Sequence, residues 1–325
     1  MASPFISICI PTYQRPHLLK TLLDSVCIQT CRDFEVLIND NSPDDSVERL
    51  VKQYENQLPI SYHRNQPAGT ASENINAVMK RANGTWIKIM HDDDWFATDD
   101  ALQQFADAAK QSGKDFIFSA CTQVWLDGSK QQIDILTPEK QGWLEESPYC
   151  LFYLNVIGHP SVSMHKKDNE VLYDTSFLFI LDIDFYMRYL TKHKGFYYIP
   201  GNLINIGKVP SQETNKYYKR RDIELPEFFR LLAKYEQDLN LKNRHVFHLV
   251  WNMLKRYKIK DPEEIHAAGY KGPLPARIEK IIAYQKYIPH IIIKQTPWSK
   301  RLVLRCYKKV AADYIRSGKS MHRDL

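Results

Sequence analysis

Four short apolar runs, each followed by a stretch of helical periodicity, fill the first ninety residues and leave few folds open to this chain. The runs are FISICI (5–10), FEVLI (34–38), ISYH (60–63) and TWIKIM (85–90). Between them, apolar residues recur three and four apart: Leu18, Leu19, Leu22, Leu23 and Val26; then Val47, Leu50, Val51 and Tyr54; then Ile75, Val78, Met79 and Ala82. The third helix is expected to stop at Asn83–Gly84. Strands that read as continuous apolar runs and alternate with helices imply a mostly parallel sheet with helices on both faces. Ligands of such sheets bind beyond the carboxyl ends of the strands. Three polar clusters fall at those ends: PTYQR after the first strand, NDNSPDD after the second and HDDDW after the fourth.

Beyond residue 100 the pattern is mixed. Leu102, Phe105, Ala106 and Ala109 predict another helix, and DFIFS and TQVWL two further strands. Residues 129–150 read as loop with a short helix at WLEESPY. A helix follows through DIDFYMRYL, then FYYIPG and LINIG as short strands returning to the sheet. From about Pro210 onward the sequence reads as helices. The domain expectation is therefore a sheet domain over 1–210, split into halves 1–98 and 99–210, and a helical, basic region over 211–325.

A chain of 325 residues can bury a large core, and 44% hydrophobic with 25% charged residues is ordinary for a globular protein. The net charge of +6 is too modest to argue for nucleic acid, and the basic residues crowd the last third. The start, MASPFISICIPTYQ, has no basic leader and its apolar run stops at Pro11, so it reads as a first strand and not a signal peptide. No apolar stretch approaches the ~20 residues of a membrane span. Six cysteines without a CxxC pair read as reduced thiols of a cytoplasmic protein.

The triplet Asp92, Asp93 and Asp94 raises a question of charge. Three carboxylates at the end of a buried strand repel unless something positive sits among them. Neither GxGxxG after the first strand nor GxxxxGK[ST] anywhere is present, so the two familiar phosphate-cradling loops are absent. Two readings stand: a solvated acidic loop, or oxygen ligands for Mg²⁺ or Mn²⁺ shared with a diphosphate.

The ordered set SICIPTYQRPHLLKTLLDSVCIQT (7–30), DFEVLINDNSPDD (33–45), NQPAGTASENINAVMKRANGTWIKIMHDDDWF (65–96), GHPSVSMHKK (158–167) and LDIDFYMRYL (181–190) resembles the family 2 glycosyltransferases, inverting enzymes with the GT-A fold, of the bacterial surface-polysaccharide type. The resemblance covers about the first 200 residues. It implies that Pro11, Thr12 and Tyr13 lie beside a nucleotide-sugar donor, and that Asp40, with Asn39 beside it, falls in the turn recognising base and ribose. It implies that Asp92 and Asp94 match the DXD signature, with Asp94 the direct metal ligand and Asp92 or Asp93 reaching ribose or metal-bound water. Asp182 matches the aspartate that serves as catalytic base, and His159 and Ser161 the acceptor side.

Two departures stand out. The second-strand turn has Asn39 where relatives often have an acid, although an amide can still pair with a pyrimidine edge. Near GKVPSQET (207–214), where many relatives carry a histidine, Val209 or its neighbours stand instead, with Lys208 as a source of positive charge. Asp184, two residues beyond Asp182, is expected to be structural or to face the acceptor. His91 reads as a strand-end histidine with a structural role, and His245 and His248 lack the partners of a zinc site. Trp95 and Phe96 read as core anchors of the acidic loop, and Trp125 and Trp143 as core or sugar-stacking residues.

Residues 299–319, SKRLVLRCYKKVAADYIRSGK, place Val303, Tyr307, Val310 and Tyr314 on one helical stripe, with Lys300, Arg301, Arg305, Lys308, Lys309 and Arg316 largely around it. Such a helix either packs on the catalytic domain or lies on an anionic membrane. The implied function is a metal-dependent glycosyltransferase acting on a glycan or lipid-linked glycan acceptor, in O-antigen or capsule synthesis at the inner face of the cell membrane, with no nucleic-acid partner. A metal-dependent phosphohydrolase and a non-catalytic sugar-nucleotide-binding protein are the competing classes. The first lacks a nucleophile cluster beyond the three aspartates; the second is motivated by Asn39 and the absent loop histidine.

Overall fold

The computed structural model describes residues 3–209, 212, 216–275, 277–286 and 301–312. Two compact units divide the chain, Met1–Asn215 and Lys216–Leu325. The first opens with the predicted alternation: β1 (Ile6–Thr12), α1 (Pro16–Cys27), β2 (Phe34–Asp40), α2 (Ser46–Val51), β3 (Ile60–Arg64), α3 (Ala71–Arg81) and β4 (Trp86–Ile89). Each of these strands pairs in parallel with its neighbours, in the order β3-β2-β1-β4. Ile6, Ile8, Ile10, Val36 and Ile38 have no exposed surface, as expected of strands covered on both faces.

Local chemistry fixes the helix boundaries. Pro16 opens α1, where its missing N–H costs nothing. Thr70 and Glu73 form a reciprocal capping box at the start of α3. Gly84 serves a different purpose from the helix stop read in the sequence: a Cβ there would lie 2.6 Å from the backbone nitrogen of Ser7, so only glycine lets the chain re-enter the sheet beside β1.

The second half continues with β5 (Asp94–Phe96), α4 (Ala101–Gln111), β6 (Phe116–Trp125), β7 (Gln131–Asp134), α5 (Pro138–Glu146), β8 (Ser163–Lys166), α6 (Leu181–His193) and β9 (Tyr197–Lys208). The nine-stranded sheet runs β3-β2-β1-β4-β8-β6-β9-β5, with β7 hydrogen-bonded to β6 alone. Pairings of β4 with β8, β5 with β9, and β6 with β7 and β8 are antiparallel, so the sheet is mixed. DFIFS and TQVWL, read as two strands, are one ten-residue strand; its register against β9 shifts between Ser119 and Cys121. That shift absorbs the break in periodicity which suggested two elements. FYYIPG and LINIG are likewise one strand, β9, and the hairpin strand β7 lies inside the stretch read as loop.

Helices form the second unit: α7 (Arg221–Lys234), α8 (Arg244–Arg256), α9 (Glu263–Ala267), α10 (Ile278–Lys286) and a helix over 301–312. Phe229, Phe247, Val250, Trp251, Leu254 and Ile281 make its core. The helix over 301–312 packs within this unit. Val310 has no exposed surface, the Tyr307 ring meets Phe247 at 5.4 Å, and its hydroxyl donates to the Lys242 carbonyl at 2.7 Å. Arg301, Arg305, Lys308 and Lys309 are exposed; Lys300, Tyr314 and Arg316 lie outside the described residues. Among the described residues no helix is long and apolar enough to cross a membrane.

Candidate active site

The three polar clusters converge at the strand ends because the register demands it. Pro11 pairs opposite Asn39 and Thr12 opposite Asp40, while β4 ends beside β1 two residues before His91. Thr12 donates its hydroxyl to Asp92 Oδ2 at 2.6 Å. Arg15, from the same PTYQR segment, hydrogen-bonds Asp92 Oδ1 and reaches Asp93 Oδ2 at 3.2 Å. Asp92 therefore has both oxygens engaged and no exposed surface. Burial pushes it up to about 6, against the pull of the Arg15 guanidinium.

Asp94 opens β5 and faces a different set of partners. The backbone N–H of Gly207 donates to its Oδ1 at 3.1 Å, and the Ser161 hydroxyl also bonds it. Burial first, and then the neighbouring Asp93 charge, hold Asp94 well above the ordinary carboxylate range. A ligand atom from each of His91, Asp93 and Asp94 lies within 4.8 Å of the others, the metal-capable cluster among the described residues. Two hard oxygens and an imidazole suit Mn²⁺, and a cation there would relieve the Asp93–Asp94 repulsion. The residues thus fit such an ion. The cluster shares only Asp94 with the expected pair: Asp92 is tied to Thr12 and Arg15, while Asp93 and His91, the latter read as structural, stand in the set.

Gly207 is indispensable to this arrangement. A Cβ there would fall 2.1 Å from the Asp93 carbonyl oxygen, so any side chain would displace the acidic turn or β9. Beyond it, the Lys208 ammonium donates to His159 Nε2 at 3.2 Å. Burial, reinforced by Lys208, pushes His159 down to about 3, keeping it a neutral acceptor. Lys208 sits in the acids' field and is lowered by burial.

On the β2 side, Asn39 and Asp40 are fully buried and already bonded. Asn39 donates to Asn65 Oδ1 at 2.9 Å and accepts from Arg81 at 2.5 Å. Asp40 accepts from the Ser42 N–H at 2.7 Å and the Tyr62 hydroxyl at 2.8 Å. Both shape the turn beneath the surface, while Tyr13, 45% exposed, offers a ring above it.

Asp182 occupies the first turn of α6 and is half-buried. Burial pushes it up to about 7, within the working range of a general base. Burial first, and then the Asp182 charge, raise the neighbouring Tyr186 hydroxyl, which donates to the Gly158 carbonyl at 3.4 Å. The 158–163 segment thus touches Asp182's helix at Gly158 and the acidic cluster at Ser161. Asp184 points elsewhere, bonded to Arg188 Nε at 2.8 Å, a structural role.

The remaining expectations resolve simply. Phe96 is buried core and Trp95 partly so; Trp125 lies under Lys130 and Trp143 against Tyr153. His248 pairs with Arg244. Arg15 and Gly207 acquire site roles that sequence reasoning did not assign, and Ser161, expected on the acceptor side, bonds Asp94 and the His91 N–H. Arg15 was visible as the cation of PTYQR, whereas the contacts of Ser161 and Gly207 arise only from folding.

Sheet order and acidic turn define a GT-A-type glycosyltransferase fold. The chain superposes on Staphylococcus aureus TarS 1–349 in complex with UDP-GlcNAc with a TM-score of 0.62 at 17% identity, over 96% of this chain and 92% of that one. Residues 7–155 match the family model "Glycosyl transferase family 2". It is 36% identical over 109 residues to the abequosyltransferase RfbV of Salmonella typhimurium, covering 32% of this chain and 33% of that protein. It is 24% identical over 195 residues to an uncharacterized glycosyltransferase of Rickettsia typhi, covering 58% and 59%. The matches thus span a third to under two thirds of these relatives' own lengths.

Proposed function

We propose that this protein transfers a glycosyl group, with inversion, from a nucleotide-diphosphate sugar to a hydroxyl of a glycan or lipid-linked glycan. A UDP-sugar is the first donor to test, and a bacterial surface polysaccharide of the O-antigen or capsule type the product. The observation that carries the reading is the convergence of His91, Asp93 and Asp94 beside Thr12, Arg15 and exposed Tyr13. TarS, of like fold, has been seen in complex with UDP-GlcNAc, which supports a sugar-nucleotide donor.

In this reading Tyr13 stacks on the base, while Pro11, Asn39 and Asp40 form the turn beneath it. Asp94 and Asp93, with His91, would hold Mn²⁺ or Mg²⁺, and Asp92 anchors Arg15 beside them. Bound there, such an ion supplies positive charge to a departing diphosphate. Lys208 adds a fixed cation on the β9 side. Asp182 takes the proton of the acceptor hydroxyl as it attacks the anomeric carbon in a single displacement. Residues 1–98 form the donor half, 99–210 the acceptor half, and 211–325 a helical region. The exposed bases of 301–312 favour peripheral contact with an anionic membrane at its cytoplasmic face.

Thermal-shift titration with UDP, with and without Mn²⁺, tests the donor site. Wild type should be stabilised by UDP plus Mn²⁺ far more than by UDP alone. Asp94→Asn should lose the Mn²⁺ increment and sugar transfer while keeping the melting temperature of the free protein. An Asp94→Asn variant that keeps the full increment would refute the metal assignment.

A further inference from the structure

Lys88 sits in the middle of β4 with no exposed surface, where Trp86, Ile87 and Ile89 on either side are buried too. A fully buried ammonium costs several kcal/mol in lost hydration, and a well-packed apolar side chain would serve the strand at lower cost. The charge therefore calls for an account. Its Nζ hydrogen-bonds the Ser161 carbonyl and reaches the Ser163 carbonyl at 3.3 Å. The rings of Phe105 and Phe96 flank it at 4.6 and 5.8 Å. Along the strand pair, β4 meets β8 only through Trp86 opposite Lys166 and Ile87 opposite His165. Past that point, Lys88 takes over with its side chain what the ladder no longer does.

Ser161 is the link to the chemistry. Its hydroxyl accepts the His91 N–H at 2.9 Å and bonds the Asp94 carboxylate, and the residue has no exposed surface. Lys88 thus grips the main chain of the residue whose side chain holds two members of the candidate metal cluster. We propose that Lys88 is a positioning residue for metal capture: it fixes the Ser161 backbone, and through the Ser161 hydroxyl aims the Asp94 carboxylate at the cation site. The inference rests on the metal reading above. Burial pushes Lys88 down to about 7, against the pull of the nearby Asp94 charge, which favours its charged form.

The test uses the full chain with Mn²⁺ and UDP as probes, and bound Mn²⁺ read by electron paramagnetic resonance. Lys88→Met removes the charge at similar volume, so the fold should survive with an unchanged or higher melting temperature. Its Mn²⁺ affinity in the presence of UDP should fall about 10–100-fold, the usual cost of losing a group that orients a metal ligand. UDP binding without metal should stay as in wild type. Ser161→Ala should lose Mn²⁺ affinity to a similar degree, and the double variant should lose no more than the worse single one. Wild-type Mn²⁺ affinity in folded Lys88→Met, losses that multiply in the double variant, or a parallel loss of metal-free UDP binding would each overturn the proposal. Should Lys88→Met fail to fold, unchanged affinity in Ser161→Ala overturns it, and a 10–100-fold loss there supports it. Wild type that binds no Mn²⁺ with UDP would instead overturn the metal reading, and this inference with it.

Discussion

Asp182→Asn separates catalysis from stability because the same burial governs both. The carboxyl is held near 7 by burial, against an ordinary value of 3.8. A raised acid binds its proton more tightly in the folded chain, so between about pH 4 and 7 stability falls as pH rises, and above 7 the loss is complete. Three units at about 1.4 kcal/mol each set a ceiling near 4 kcal/mol, and partial exposure of the side chain lowers it to roughly 2 kcal/mol. Asparagine keeps the shape without the charge. At pH 8 the variant should melt several degrees higher than wild type, with the gap closing toward pH 4. Transfer should meanwhile fall by roughly 10²–10⁴-fold, with UDP and Mn²⁺ binding retained. Wild-type activity should drop about tenfold per pH unit below 7, as the base form is protonated. Calorimetry at pH 4 and 8, with a coupled assay of UDP release, gives both readings. A variant that transfers at near wild-type rate removes Asp182 as base; one no more stable at pH 8 refutes the burial argument.

Other perturbations bear on separate parts of the site. Gly207→Ala drives a methyl into the Asp93 carbonyl, so Mn²⁺-dependent UDP binding should fall at least tenfold by calorimetric titration, with β9 still formed by circular dichroism. Arg15→Gln strips Asp92 of its ion pair and should cost about 2–3 kcal/mol in urea unfolding. The cost should be larger at pH 8 than at pH 5, because Asp92, near 6, is mostly neutral at the lower pH. Replacing Arg301, Arg305, Lys308 and Lys309 by Gln should weaken binding to phosphatidylserine vesicles by up to about 4 kcal/mol at low salt, at about 1 kcal/mol per basic residue near the surface. Equal sedimentation of variant and wild type with vesicles would refute the membrane contact.

Strands β1 to β4 were legible because continuous burial leaves an apolar run and alternating helices leave a 3.6-residue period. Lys88 interrupts one such run with a cation, and the run was still readable because its neighbours carry the pattern. The second half was less legible. A strand that shifts register at Ser119–Cys121 loses its periodicity there, and β9 contains Pro200 and Gly201 in mid-strand. Within the acidic turn, residue type announced a charged site, but the division of labour did not show. Asp92 and Asp94 differ because Arg15 arrives from β1 and Gly207 from β9, and no local spacing encodes either approach.

The pairing of β5 with β9 has a consequence for synthesis. Asp94 receives its Gly207 N–H from 113 residues further along the chain. At roughly 5–20 residues per second, translation delivers that partner about 6–23 s after Asp94 itself. Over this interval β1 to β4, contiguous from residue 6 to 89, have all they need to pair, whereas the acidic turn lacks Gly207 throughout and Ser161 for the first part of it. Strands β1 to β4 should then resist protease on an arrested nascent chain of about 150 residues while the acidic turn is still cut. A nascent chain of this protein thus leaves the ribosome with its first strands paired and its charged centre unfinished, and the last strand of the sheet completes that centre.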